Sequence, residues 1–306
     1  MLRIKDIVLL IVVFGSMAAG VLWPNEARTL SPFLSWFLMG MLFLAFLKVF
    51  PKEIWDTLQR YSVKLPLLIL TKLIVVPVII FPLASKLLPA YALGLILLAG
   101  VSTGLSAPFF SGYIGANISL ALAMTVVTTL LLPLTLPVLV KILIGRELHF
   151  DLLGLVGFMA VLIFLPLIVA MVFQRLLPRI SDWLDENSYP ISLVLIVGMN
   201  LGAFGLYAPF IRAHHADIVI SVLVGSGLAA VLASAGMVLF RSTPPLERIA
   251  ASGALGWINN VLVIVLGNYF NDPLTSVLAA LYMVPYYVLI LPLSHLSRVS
   301  ERSGQI

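Results

Sequence analysis

The sequence predicts an all-α polytopic membrane protein whose ten transmembrane helices form two inverted five-helix repeats. Three observations carry that expectation. Of 306 residues, 61% are hydrophobic and only 10% charged, with a mean hydropathy of +1.14, whereas soluble domains carry about a quarter of their residues as charge. Apolar runs of roughly 20 residues, the length that crosses a bilayer as a helix, follow one another with short links. Two of these runs, five apart, are interrupted at mid-span by Gly, Pro and Asn.

Pro, Gly, Asn and charge divide the chain into runs at about 7–23, 32–50, 65–84, 91–113, 117–143, 152–174, 190–209, 217–240, 249–269 and 274–297. The first follows Arg3, Lys5 and Asp6 and reads as a retained helix, not a cleaved signal, because so many spans follow it. Residues 1–150 then form the first repeat and 151–306 the second. The links at 51–64 and 174–189 hold most of the polar sequence and are expected to be connections. Lys and Arg sort by side: Arg3, Lys5, Lys48, Lys52, Arg60, Lys64, Arg175, Arg179, Arg241, Arg248, Arg298 and Arg302 on one, Arg28, Lys86, Lys141, Arg146 and Arg212 on the other. That bias predicts cytoplasmic termini. The net charge of +5 is therefore a topology signal, and no nucleic-acid partner is expected.

Cysteine is absent, which excludes disulfides, thiolate metal sites and Cys nucleophiles. No Asp, Glu or His falls at mid-span. An intramembrane hydrolase would have only Lys72 as a base for Ser102 or Ser106, and no enzyme activity is expected. His214 and His215 beside Asp217, and His149 between Glu147 and Asp151, read as solvated loop residues. No metal or cofactor is expected. Asn200, in Gly198-Met-Asn-Leu-Gly-Ala, either faces a substrate path or cements helix packing.

The sorting leaves Lys72, one third to one half of the way across the third span, in Leu70-Thr-Lys-Leu-Ile-Val-Val-Pro77. An ionisable residue at that depth costs at least about 2.5 kcal/mol and marks a functional position. The fourth span reads Gly100-Val-Ser-Thr-Gly-Leu-Ser-Ala-Pro-Phe-Phe-Ser-Gly112 and the ninth Ala251-Ser-Gly-Ala-Leu-Gly-Trp-Ile-Asn-Asn260. Gly100, Gly104 and Pro108 in one, and Gly253, Gly256, Asn259 and Asn260 in the other, break the helices where irregular backbone is tolerated only inside protein or along a substrate path. Matched interruptions in two odd-numbered halves point to a secondary transporter with its site at the breaks.

These segments, with Asn117-Ile-Ser-Leu-Ala-Leu-Ala-Met-Thr-Val-Val-Thr-Thr-Leu-Leu-Leu-Pro133 and Gly256-Trp-Ile-Asn-Asn-Val-Leu262, resemble the bile acid:sodium symporter family, part of the bile, arsenite and riboflavin transporter superfamily. The resemblance implies a panel domain of spans 1, 2, 6 and 7 and a core domain of spans 3–5 and 8–10, with broken helices four and nine crossing at the substrate. It also implies sodium ligands that are missing here. A Ser-Asn pair is replaced by Pro108 and Phe109, a Glu by Ala254, a Gln by Ile258, and a Ser by Ala121, leaving Thr125 as the matching hydroxyl. A third-span Gln is replaced by Lys72, five residues before Pro77.

The expected function is alternating-access transport of a small organic anion without sodium, Lys72 replacing the bound ion. Lys72 is either a permanent cation, giving uniport or exchange, or a group that gains and loses a proton, because desolvation disfavours an ammonium. Snorkelling to the interface is the third reading. Ser102, Thr103, Ser106, Asn259 and Asn260 are candidate substrate contacts, with Phe109, Phe110 and Trp257 as an apolar wall. The alternatives are a sodium-coupled bile-acid-type symporter, an auxin-efflux-like carrier and a non-transporting membrane sensor. Arsenite exporters characteristically use a membrane cysteine, which this chain lacks. The expected partners are the lipid bilayer and the anion, with protons under the second reading of Lys72. A monomer in a bacterial inner membrane is expected.

Overall fold

In the computed structural model, residues 4–49, 51–145 and 151–302 are described, and among them every regular element is a helix. Arg3, Arg146, Glu147 and His149 lie outside the described residues. In chain order the helices are α1 (Ile4–Leu22), α2 (Pro24–Arg28), α3 (Leu34–Phe46), α4 (Pro51–Arg60), α5 (Lys64–Leu70), α6 (Val76–Leu87), α7 (Ala92–Gly100), α8 (Ala107–Tyr113) and α9 (Ile118–Leu143). They continue as α10 (Leu152–Leu176), α11 (Pro178–Glu186), α12 (Ser188–Ala213), α13 (His215–Leu239), α14 (Pro245–Gly256), α15 (Asn260–Tyr269), α16 (Pro273–Leu281), α17 (Met283–Val288) and α18 (Ile290–Arg302).

Among the described residues, seven helical stretches are long and apolar enough to cross a bilayer: Pro24–Phe46, Lys64–Leu87, Ile118–Leu143, Leu152–Leu176, Ser188–Ala213, His215–Leu239 and Pro273–Ser300. Ile11–Leu22, Pro89–Gly100 and Asn260–Tyr269 are shorter apolar helices. The chain is a polytopic membrane protein.

Several boundaries differ from the periodicity. The second helical stretch begins at Pro24, not at 32, because Pro24 sits in the first turn of a helix, where no backbone donor is needed. The two polar links hold α4 and α11, each opened by proline in the same way. Trp55 and Trp183 are exposed on them, as expected of amphipathic helices at a membrane surface. The last span is divided at Tyr282 and Leu289, next to Pro285 and Pro292, which remove backbone donors.

The chain forms two compact units. The first draws on Met1–Val49, Ala160–Ile218 and Ile264–Val277. Its centre is the pairing of α1 with α12, brought close by glycine. A Cβ on Gly20 would stand 2.8 Å from the Phe204 Cβ, and one on Gly205 2.6 Å from the Arg28 backbone nitrogen. Asn200 donates from Nδ2 to Val13 O (3.3 Å) and Ser16 Oγ (3.0 Å), so its amide cements α12 to α1.

The second unit draws on Phe50–Met159, Val219–Val263 and Leu278–Ile306. Here α9 is the central column, packed by α4, α5, α7, α8 and α14, while α6 and α7 form an antiparallel pair. One end is tied by a polar cluster. Tyr61 donates to Glu247 Oε1 (2.6 Å), Asn117 Nδ2 donates to the Tyr61 hydroxyl (3.2 Å), and Arg60 lies 3.6 Å from Glu247. Burial, reinforced by the Glu247 carboxylate, pushes the Tyr61 phenol up to about 12.

Replacing Gly205 with Leu drives a side chain into the backbone of α2. Overpacking of this kind costs about 1–3 kcal/mol, and thermal unfolding in detergent should register it, whereas Gly15→Ala, with nothing within 4 Å of the added Cβ, should leave the midpoint unchanged.

Candidate functional site

Two helices of the second unit are cut at corresponding places. α7 ends at Gly100, and Val101 turns to extended backbone at φ −69°, ψ 158°. A Cβ on Gly100 would meet Leu136, Pro77 and Leu139 at 3.1–3.3 Å, so glycine lets the end of α7 pack close against α6 and α9. The chain resumes as α8, with Pro108 in its first turn. Pro108 therefore starts a half-helix instead of breaking one. α14 ends at Gly256, Trp257 is extended at φ −83°, ψ 91°, and Asn259 caps α15 by accepting from Leu262 N–H at 3.2 Å.

The two gaps satisfy one another. Thr103 and Ile258 form an antiparallel bridge. Gly104 N–H donates to Trp257 O (2.6 Å), and Asn259 N–H donates to Ser102 O (2.9 Å). Unwound backbone within a bilayer must pair internally, and hydroxyl groups supply the remaining partners. Thr128 Oγ1 accepts from Thr103 N–H (3.0 Å), Thr103 Oγ1 donates to Ala254 O (2.7 Å), Thr125 Oγ1 donates to Gly104 O (3.2 Å), and the Tyr282 hydroxyl donates to Gly256 O (2.8 Å). Trp257 Nε1 donates to Tyr286 O (3.1 Å), and the Tyr286 hydroxyl is 2.7 Å from Ser106 Oγ.

Among the described residues, seven buried side-chain polar groups of this unit have no hydrogen-bond partner; Ser102 Oγ and Asn259 Nδ2 lie at the breaks themselves, and Lys72 Nζ is the third that bears on them. Ser102 and Asn259 are already joined through their backbones, so their side chains leave the same point of the crossover. Lys72 is fully buried. It lies in a π-helical turn, Thr71–Val75, in which Val76 N–H reaches back to Thr71 O. Turns of this kind are rare and cluster at functional sites. Pro77, which cannot donate to the preceding turn, stands just beyond it.

The register fixes the depth of Lys72. Pro77 lies against Gly100, and Lys72 is about 7.5 Å further along the axis. In the antiparallel partner that direction leads past Gly100 into the unwound segment 101–106. Lys72 is therefore level with the break, and its turn packs against α5, α6, α7 and α9. None of these four helices carries Asp or Glu.

A family model for the sodium bile acid symporter family matches residues 35–213. The chain belongs to the sodium bile acid symporter family. A search of curated proteins finds no match. Members of this family are membrane transporters, and the apolar helices place the chain among them. The matched stretch includes Lys72, its π turn and the first break, and ends before α13.

Within this symporter-family chain the candidate residues separate by what they touch. Thr103 and Asn260 are buried and spend their side chains on backbone, Asn260 Nδ2 donating to Ala279 O at 3.2 Å. Trp257 is fully buried beneath the crossover and packs on Phe110, which also meets Tyr286 and Tyr287. Phe109 and Ser106 are exposed at the start of α8. Pro108 is half-buried. Ala121, Ala254 and Ile258 are buried and present no side-chain oxygen, and Thr125 is turned onto Gly104 O. His214 stacks on Phe210. Among the described residues no cluster of His, Asp or Glu is placed to hold a metal.

Thr128, Tyr282 and Tyr286 were not among the sequence candidates, though they hold the crossover together. A Thr pair on α9 and a Tyr-Tyr step near Pro285 were visible, but nothing in their spacing showed which carbonyls they would meet.

Gly104 is the tightest test of the crossover, since a Cβ there would stand 2.7 Å from Ile258 O and 3.0 Å from the Tyr286 hydroxyl. Gly104→Ala is expected to lower the unfolding midpoint by about 2–10 °C. Gly157→Ala, whose Cβ meets nothing within 4 Å, is the matched control and should not move it.

Proposed function

We propose that this protein is a sodium-independent secondary transporter of a small organic anion, in which the Lys72 ammonium stands in place of a coupling cation and receives the anion's carboxylate. The observation that carries the reading is the state of Lys72: fully buried, level with the two breaks, and without a hydrogen-bond partner among the described residues. An ammonium taken out of water needs a counter-charge. The helices around it offer none. A carboxylate would supply that charge and could accept from Ser102 Oγ and Asn259 Nδ2 as well. Exposed Ser106 and Phe109 stand at the approach, with Thr103, Asn260 and Trp257 holding the crossover in shape.

Loss of sodium coupling follows from the same residues. Sodium takes hard oxygen ligands, and the resemblance puts Pro108, Phe109, Ala121, Ala254 and Ile258 where side-chain oxygens would be. The break carbonyls already accept from chain donors, Ala254 O from Thr103, Gly256 O from Tyr282 and Gly104 O from Thr125.

The transport cycle we propose is alternating access. Its spans are the seven long apolar stretches together with the three shorter ones, arranged as two inverted repeats of five, 1–150 and 151–306. The two compact units support a division into panel and core, since the first holds α1, α3 and α12 and the second holds both breaks, with α7, α8, α14 and the start of α15. We place both termini in the cytoplasm on the Lys and Arg bias, and take the working unit to be a monomer in a bacterial inner membrane.

The test is thermal unfolding of the purified protein with acetate, benzoate or cholate, in sodium and in choline chloride. At least one carboxylate should raise the midpoint equally in both salts, and Lys72→Gln should abolish that rise. Stabilisation that requires sodium, or that survives Lys72→Gln and Lys72→Ala, would contradict the proposal.

A further inference from the structure

We infer that this carrier is an obligate exchanger, crossing between its two open states with an anion bound and scarcely at all without one. The inference rests on the reading of Lys72 as the anion's counter-charge and extends it to the return half of the cycle.

The argument is a charge balance. A coupling ion that dissociates leaves with the substrate, and the empty carrier then returns without it. Lys72 is covalently part of the chain and cannot leave. With a monocarboxylate bound, the ammonium and carboxylate sum to zero, and the closed state carries no net charge at the crossover. Without the anion, the closed state must bury a bare cation. Water can solvate that cation while the path is open on either side. Closure removes the water, a penalty that slows the empty return by about a hundredfold or more.

The alternative is that Lys72 sheds its proton for the return journey. Proton pathways at membrane depth are built from chains of Asp, Glu and His. The turn that bears Lys72 is packed by α5, α6, α7 and α9, and their titratable groups are Lys64, Lys86 and Lys141, at helix ends, with Tyr91 just before α7. None is an acid or a histidine. Elsewhere in the same unit, Glu247 is held with Tyr61 and Arg60 at one end, and the Tyr282 and Tyr286 hydroxyls are engaged by Gly256 O and Ser106. Among the described residues no acid or histidine lies on the helices packed against Lys72, so in the closed state no side chain stands ready to take its proton, and in the open states a hydrated ammonium keeps its proton at neutral pH.

The experiment uses the full chain in proteoliposomes and the carboxylate, among acetate, benzoate and cholate, that stabilises it most. Uptake of the radiolabelled compound is compared in vesicles preloaded with the same unlabelled compound and in empty ones, with potassium and valinomycin clamping the voltage at zero. Preloaded vesicles should take up label at least about a hundredfold faster. Lys72→Arg should keep that ratio, because it keeps the charge. Empty vesicles filling within threefold of the preloaded rate, or accumulating label when an inward proton gradient is imposed, would overturn the inference while leaving carboxylate binding at Lys72 intact. If none of the three compounds stabilises the protein through Lys72, the underlying reading has failed, and the exchange mechanism with it.

Discussion

Everything at the candidate site depends on two interrupted helices satisfying each other's backbone. A gap in a membrane helix strands donors and acceptors where water cannot reach them, and each unpaired group costs several kcal/mol. Segments 101–106 and 257–259 meet as an antiparallel bridge at Thr103 and Ile258, with bonds from Gly104 N–H to Trp257 O and from Asn259 N–H to Ser102 O. Neither gap could persist alone. Glycine at 104 is required because no side chain fits between the strands, and the hydroxyls of Thr103, Thr125, Thr128 and Tyr282 pair the groups that the bridge leaves over.

That arrangement has a consequence for charge. Break carbonyls engaged by hydroxyl donors place less demand on a cation, and side chains without oxygen at Ala121, Ala254 and Ile258 would not hold one. In the mechanism we propose, the positive charge is instead carried by the chain at Lys72. A fixed cation is simpler than a coordinated ion, because it needs no binding step. Such a cation also gives up the energy of an ion gradient, so the proposed transport mode differs from that of a sodium-driven carrier. The unpartnered Ser102 Oγ and Asn259 Nδ2 would suit the occupant proposed for Lys72, an anion with oxygen acceptors.

Much of this was legible in the residues. Composition and run length showed a polytopic membrane protein, and Gly100, Gly104 and Gly256 marked the breaks. Pro108 was read as a breaker because proline is hostile to helix interiors, but it stands in a first turn, where it favours a start. Asn259 looked like a ligand, and half of its amide turns out to be a helix cap. Lys72 stood out as an unassigned charge, whereas its π turn did not, since a five-residue backbone shift has no side-chain signature beyond the nearby Pro77. The helices α4 and α11 were hidden by reading polar links as loops. The bonds that Thr128, Tyr282 and Tyr286 make depend on which helices pack together, and local sequence does not carry that.

The central claim is that Lys72 is the counter-charge of a bound carboxylate. An experimental structure of the protein with a brominated monocarboxylate, prepared in sodium-containing buffer, tests it most directly. The account predicts bromine and carboxylate density at the crossover, with a carboxylate oxygen about 2.7–3.0 Å from Lys72 Nζ and no sodium among the break carbonyls. A sodium ion at those carbonyls, with the carboxylate bound away from Lys72, would contradict it.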